Sequence, residues 1–158
     1  MAANSLPDSI LALETSSPCA SMTLRVGKEI VFTREWTAER SHNSRIFDLL
    51  AEVKNLLDQA PPGLLLVGSG PGSYSGVRVA LAVADGLALA CGGRVAAVPS
   101  WEAFPWEKEK ALVLSDARRG GWAVAELDNG NLKEGFRIVS PELVPELIGE
   151  MLEKGGEI

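Results

Sequence analysis

From Ser21 to Trp36 the chain alternates in polarity. Met22, Leu24 and Val26 stand against Thr23 and Arg25; after a tight Gly27-Lys28 turn, Ile30, Phe32 and Arg34 stand against Val31 and Thr33. A period of two is the mark of a half-buried strand. Ahead of it lies the short apolar run Ile10–Leu13, closed by the hydroxyl-rich turn Glu14-Thr15-Ser16-Ser17-Pro18. The pattern predicts three strands in an antiparallel meander. Polar residues Thr37–Ser44 break it, and the period then changes. From about Ser44 to Asp58, Ile46, Leu49, Leu50, Val53 and Leu57 share one helical stripe, which Phe47 and Leu56 widen beyond the need of one sheet face. Ser41 or Asn43 is the expected N-cap. Ala60-Pro61-Pro62-Gly63 ends the helix.

A new apolar strand, Leu64–Val67, feeds the glycine-rich turn Gly68–Gly76, which opens into a helix of small residues reaching Cys91. Gly92-Gly93 stops that helix, Arg94–Val98 forms another strand closed by Pro99, and Ser100–Phe104 suits one helical turn. Three antiparallel strands, helix, strand, helix, strand is the order of a ribonuclease-H-like half-domain. The expectation for residues 1–104 is therefore an α/β unit with helices on a mixed five-stranded sheet. After the proline and charge cluster Pro105–Lys110 the chain restarts: strand Ala111–Asp116, an Arg118-Arg119-Gly120-Gly121 turn, and an alternating strand Trp122–Leu127. A hairpin turn at Asp128-Asn129-Gly130-Asn131 and a return strand Leu132–Val139 follow. A helix then begins near Pro141, a suitable first-turn proline after Ser140, and runs through Leu143, Leu147, Ile148 and Met151 to Gly155-Gly156. Residues 105–158 thus read as a partial second half-domain, lacking two strands and a helix.

Composition narrows the function. The chain has 158 residues, 46% hydrophobic and 23% charged, enough for a core and too ordinary for disorder. Net charge is −6, concentrated in residues 101–158, where 12 acidic side chains face 7 basic ones. Nucleic-acid binding draws most of its affinity from basic residues, so any RNA is expected to be gripped by another subunit. Met1–Ser9 has neither the basic patch nor the apolar core of a signal peptide. The longest apolar stretch, within Val77–Cys91, is broken by Arg78, Asp85 and Gly86 and reads as too short and polar to span a bilayer. Two cysteines, Cys19 and Cys91, give no disulfide framework and suit a reducing cytoplasm.

The glycine turn invites a nucleotide reading that its residues do not complete. A P-loop needs a lysine after its last glycine, and here Val77 and Arg78 follow Gly76. A dinucleotide motif needs G-x-G-x-x-G, whereas Gly70, Gly72 and Gly76 are spaced G-x-G-x-x-x-G. An anion at Gly70, Gly72, Ser73 and Gly76 remains one reading, because free amides at a helix start attract negative charge. Close strand–helix packing is the other. Ala80, Ala82, Ala84, Gly86, Ala88 and Ala90 make the following helix thin, and Val77, Leu81, Val83 and Leu87 make it apolar. That favours an interface with another helix. The sole histidine, His42, excludes a two-histidine zinc site within this chain. Glu14 and Asp116, closing the first strands of the two blocks, are the one acidic pair placed as a metal-binding cleft would place them.

Four segments carry a resemblance. I-L-A-L-E-T-S-S-P-C-A-S-M-T-L at Ile10–Leu24, S-H-N-S-R at Ser41–Arg45, G-P-G-S-Y-S-G-V-R at Gly70–Arg78 and D-A-R-R-G at Asp116–Gly120 come in the order of the TsaB (YeaZ) family. The resemblance implies an actin-like fold of two duplicated half-domains. It also implies a non-catalytic partner in making threonylcarbamoyladenosine in tRNA. Implied partners are the catalytic paralogue TsaD and the ATPase TsaE, or a second copy when the chain is alone, with tRNA reached only indirectly. ATP enters only at the level of the complex, and no cofactor or metal of the chain's own is implied. The implied partner face is the pair of helices flanking the glycine strand: Ile46, Leu49, Leu50 and Val53 on the first, Val77, Arg78, Leu81 and Ala84 on the second. The metal-holding H-x-x-x-H pair of TsaD-like members has only His42 to match it. The competing expectations are a small nucleotide-handling enzyme of the actin-like ATPase and sugar kinase class, using Glu14, Asp116 and Gly70–Gly76, and a remnant with neither activity.

Overall fold

The structure, a computed structural model, describes residues 7–37, 42–117 and 119–158. The caps expected at Ser41 or Asn43, the His42 side chain and Arg118 of the D-A-R-R-G motif lie outside the described features. Two compact units divide between Ser100 and Trp101, four residues before the boundary that the sequence suggests. Trp101 belongs with the second unit because its ring meets Phe136 at 5.2 Å and its carbonyl accepts the Trp106 indole N–H at 2.8 Å.

In the first unit, β1 (Ser9–Glu14), β2 (Cys19–Val26) and β3 (Glu29–Thr37) form the expected meander. Helix α1 (His42–Gln59), strand β4 (Leu64–Gly68), helix α2 (Tyr74–Cys91) and strand β5 (Arg94–Val98) follow, then a 3-10 turn at Ser100–Ala103. Sheet order is β3-β2-β1-β4-β5. β1 runs antiparallel to β2, with Leu11 opposite Leu24, and parallel to β4, with Leu11 beside Leu65. It is central and covered, so Leu11 and Leu13 are almost wholly buried, each worth about 1.5–3 kcal/mol of transfer from water. This is the mixed, actin-like and ribonuclease-H-like half-domain that the sequence order predicts.

Both helices pack on that sheet. α1 lays Ile46, Leu49 and Val53 against it; α2 lays Gly76, Ala80 and Ala84. Trp36 also packs against this core, its indole nitrogen buried without a hydrogen-bond partner among the described residues. α2 begins two residues earlier than periodicity predicts, because the Ser73 hydroxyl accepts the Gly76 N–H at 3.2 Å and caps the helix there. It ends at Gly92, whose φ of 73° lets its N–H reach the Ala88 carbonyl. The two added residues give α2 18 residues and a mean hydropathy of 1.4, enough by length and composition to cross a membrane. The expectation of a stretch too short and polar is corrected on that count. Its inner face nevertheless lies in the core of an α/β unit.

The second unit holds β6 (Lys110–Asp116), β7 (Trp122–Asp128), β8 (Asn131–Leu132), β9 (Arg137–Val139) and helix α3 (Val144–Glu153). The single return strand expected over Leu132–Val139 is split, since residues 133–136 leave the sheet before β9 rejoins β7. A 3-10 turn at Pro141–Leu143 precedes α3. Ser140 does not cap it; its hydroxyl serves the Glu142 carboxylate, holding that group below the usual carboxylate range. Leu112, Val124, Val139 and Met151 form a small core. Beyond α3, Glu157 bridges Ala111 in parallel, its N–H donating to the Lys110 carbonyl at 3.0 Å.

Candidate functional site

The carboxyl ends of the parallel strands β1, β4 and β5 bring three loops together. Glu14 closes β1, and both of its carboxylate oxygens are engaged: Oε1 accepts the Ser16 N–H at 2.5 Å and Oε2 accepts the Ser100 hydroxyl at 2.5 Å. The Ser100 oxygen in turn accepts the Gly70 N–H at 2.9 Å. Ser73 N–H donates to the Ser16 carbonyl at 2.6 Å, and the Thr15 hydroxyl donates to the Gly76 carbonyl at 2.7 Å. Thr15 and Ser16 are buried.

This geometry explains the glycines. A Cβ at Gly72 would collide with the Ser16 carbonyl oxygen, and one at Gly76 with that of Thr15. Gly70 has φ +88°, a conformation that L side chains rarely adopt. The turn is thus built for two backbones to touch. Of the four candidate anion contacts, Gly70 and Gly76 give their amides to hydroxyls of the protein, Ser73 acts as the cap, and Gly72 lies under a carbonyl oxygen. Contacts within the unit thus engage Gly70, Ser73 and Gly76, while Gly72 is exposed at the surface of the turn.

The candidate partner face is divided by the structure. Ile46, Leu49, Val53 and Ala84 are fully buried in the unit's own core, so they cannot be contacts for a partner, and that expectation is corrected. The sheet claims the stripe because it is the best apolar face α1 offers. A charge at Val53 would unfold the unit rather than report on an interface. Leu50, Val77 and Leu81 are half-buried, and Arg78 is exposed. The outward stripe of α2 instead carries Tyr74, Ser75, Arg78, Ala82, Asp85, Gly86, Leu89 and Ala90, with Tyr74 77% and Leu89 89% exposed. The Arg78 guanidinium lies 5.5 Å from the Tyr74 ring centre. Phe47 of α1, 62% exposed, is a further apolar residue left outside. Tyr74 and Leu89 escape a reading by stripes because they fall off the main apolar phase, whereas Phe47 lies at the edge of the α1 stripe that it widens.

Residues 36–135 match the sequence profile of the family described as TsaD: tRNA N6-adenosine threonylcarbamoyltransferase. The chain belongs to the TsaD family. Within it the likeness runs to TsaB/YeaZ. The chain is 27% identical to the Escherichia coli tRNA threonylcarbamoyladenosine biosynthesis protein TsaB over 155 residues, 90% of this chain and 67% of that protein. It is 38% identical to the Haemophilus influenzae protein of the same name over 85 residues, 51% of this chain and 34% of that one. YeaZ from Pseudomonas aeruginosa has the same fold, with a TM-score of 0.66 and 29% identity over 85% of this chain and 68% of that one. The chain spans between a third and two thirds of the length of these curated relatives. A metal held as in TsaD-like members would need a histidine pair, and the sequence contains one histidine. Among the described residues no three His, Cys, Asp or Glu side chains gather as metal ligands would. The residues do not fit such a metal.

Proposed function

We propose that this TsaD-family chain is a docking subunit for tRNA N6-threonylcarbamoyladenosine synthesis. It binds a TsaD-like catalytic paralogue through the outer stripe of α2 and does no chemistry of its own. The observation that carries this is α2 itself: a helix of mean hydropathy 1.4 in which Gly76, Ala80 and Ala84 are the fully buried residues, presenting Tyr74, Ala82, Leu89 and Ala90 outward beside Arg78 and Asp85. Apolar groups left outward on a surface helix favour a site where a partner docks. The engaged carboxylate of Glu14 and the closed glycine turn support a subunit without a nucleotide of its own. The net charge of −6 supports contact with tRNA through the partner. A TsaE-like ATPase is the further member of the complex, two copies of the chain pair through the same stripe when the paralogue is absent, and the assembly works in the cytoplasm.

The test is to mix the chain with the TsaD-like protein of the same cell and follow the complex by size-exclusion chromatography with light scattering. A one-to-one complex that Leu89→Glu dissolves is expected; a complex indifferent to Leu89→Glu removes α2 from the interface, and no complex at all removes the reading. The enzyme reading has its own measurement. Calorimetric binding of Mg-ATP that Glu14→Ala abolishes would replace the docking role with a nucleotide site.

A further inference from the structure

We propose that Glu14 is a positioning residue for the docking helix, fixing how far α2 lies along its own axis and so where the outward stripe is presented. The proposal rests on the docking reading above and adds what sets the pose of the docking element. The first step concerns how α2 is held. Its fully buried positions are Gly76, Ala80 and Ala84, and Val79, Leu81, Val83 and Leu87 pack half-buried against the same core. The three buried positions offer at most one methyl each. α1, by contrast, places Ile46, Leu49 and Val53 at its buried centre. Small residues at the closest approach leave the flanking valines and leucines, together with the helix ends, to resist sliding, because resistance comes from interdigitated side chains.

A restraint at one end therefore adds directly to what these side chains supply. At the amino end, the Ser73 N–H and the Gly76 carbonyl are bonded to Ser16 and Thr15. Those two residues are held in turn by Glu14, which takes the Ser16 N–H with one oxygen and the Ser100 hydroxyl with the other. Ser100 passes the restraint back to the glycine turn through the Gly70 N–H. One carboxylate thus ties the ends of β1 and β5 to the turn that launches α2. Gly68 belongs to the same arrangement: a Cβ there would strike the Glu14 carboxylate, so the glycine leaves the place that the carboxylate occupies.

Two independent variants test this. Glu14→Ala removes the carboxylate. Gly68→Ala leaves Glu14 in the chain but displaces the flexible end of its side chain. Each is expected to weaken binding to the TsaD-like paralogue about tenfold, measured well below the melting temperature, and to speed amide hydrogen exchange at residues 73–77 while leaving β2 unchanged. Glu14→Gln keeps an oxygen for the Ser16 N–H, and the Ser100 hydroxyl can turn to accept from the amide; affinity within about threefold of wild type is expected. A purely structural role would lower the melting temperature of all three variants without changing affinity or local exchange, and that result overturns the proposal. So does a Glu14→Gln loss as large as that of Glu14→Ala. If the wild-type chain fails to bind the paralogue, the docking reading falls, while the exchange measurement still decides whether Glu14 holds α2.

Discussion

α1 and α2 are both 18 residues long and both cover the same sheet, yet they are finished in opposite ways. α1 buries large side chains and turns charge outward: Glu52 pairs with Arg34 on β3, and Lys54 pairs with Asp58 one turn on. α2 buries glycine and alanine at its centre, packs its valines and leucines half-buried, and leaves Tyr74 and Leu89 outward beside Arg78 and Asp85. Burial of large residues with solvated charges outside is what a surface helix needs to be stable alone. A helix that leaves Tyr74 and Leu89 in water keeps an apolar surface that its own sheet does not use. The difference separates a helix that holds the fold from one that offers a surface.

The contrast can be broken by substitution. The largest effect is expected at Leu49, fully buried under α1: Leu49→Ala should cost about 2–5 kcal/mol in urea unfolding, with affinity for the partner unchanged in whatever fraction remains folded. On α2 the reverse is expected. Leu89→Glu, at an exposed position, should shift stability by no more than about 0.5 kcal/mol but weaken partner binding by about 2 kcal/mol or more, roughly thirtyfold, read by calorimetry. Gly86 sharpens the point, since nothing in the chain lies within 4 Å of the Cβ it lacks. Gly86→Ala should raise the unfolding free energy by about 0.5–1 kcal/mol through helix propensity. A parallel fall in partner affinity would show that the glycine is kept for close approach. Smallest of all, Lys54→Ala on α1 should change stability by about 0.3–0.5 kcal/mol, a loss that salt erases.

The sheet was legible because its strands carry strong signals: period two in β2 and β3, and apolar runs in β1, β4 and β5 bounded by proline and glycine. The glycine motif was legible as a place but not as a mechanism. What decides it is the contact of Gly72 and Gly76 with the carbonyls of Ser16 and Thr15, some sixty residues away, and no local pattern encodes that. The outward residues of α2 were harder still. Ala84 faces the core and Ala82 faces out, and the two are chemically identical. Only the phase of the helix, pinned at Gly76, tells them apart. On α1 the apolar stripe was located correctly and given to the wrong partner, since a stripe shows that something covers it and not what. The split between β8 and β9 was hidden because Lys133, Glu134 and Gly135 interrupt a return strand without removing its apolar ends.

Trp36 is the sole tryptophan of residues 1–100, while Trp101, Trp106 and Trp122 all belong to the second unit. Intrinsic fluorescence of the whole chain is therefore weighted toward residues 101–158, and a thermal melt followed that way reports chiefly on the unit that does not carry α2. With the other three indoles replaced by phenylalanine, Trp36, packed against the core of the first unit, becomes a single optical reporter of the unit that holds α2.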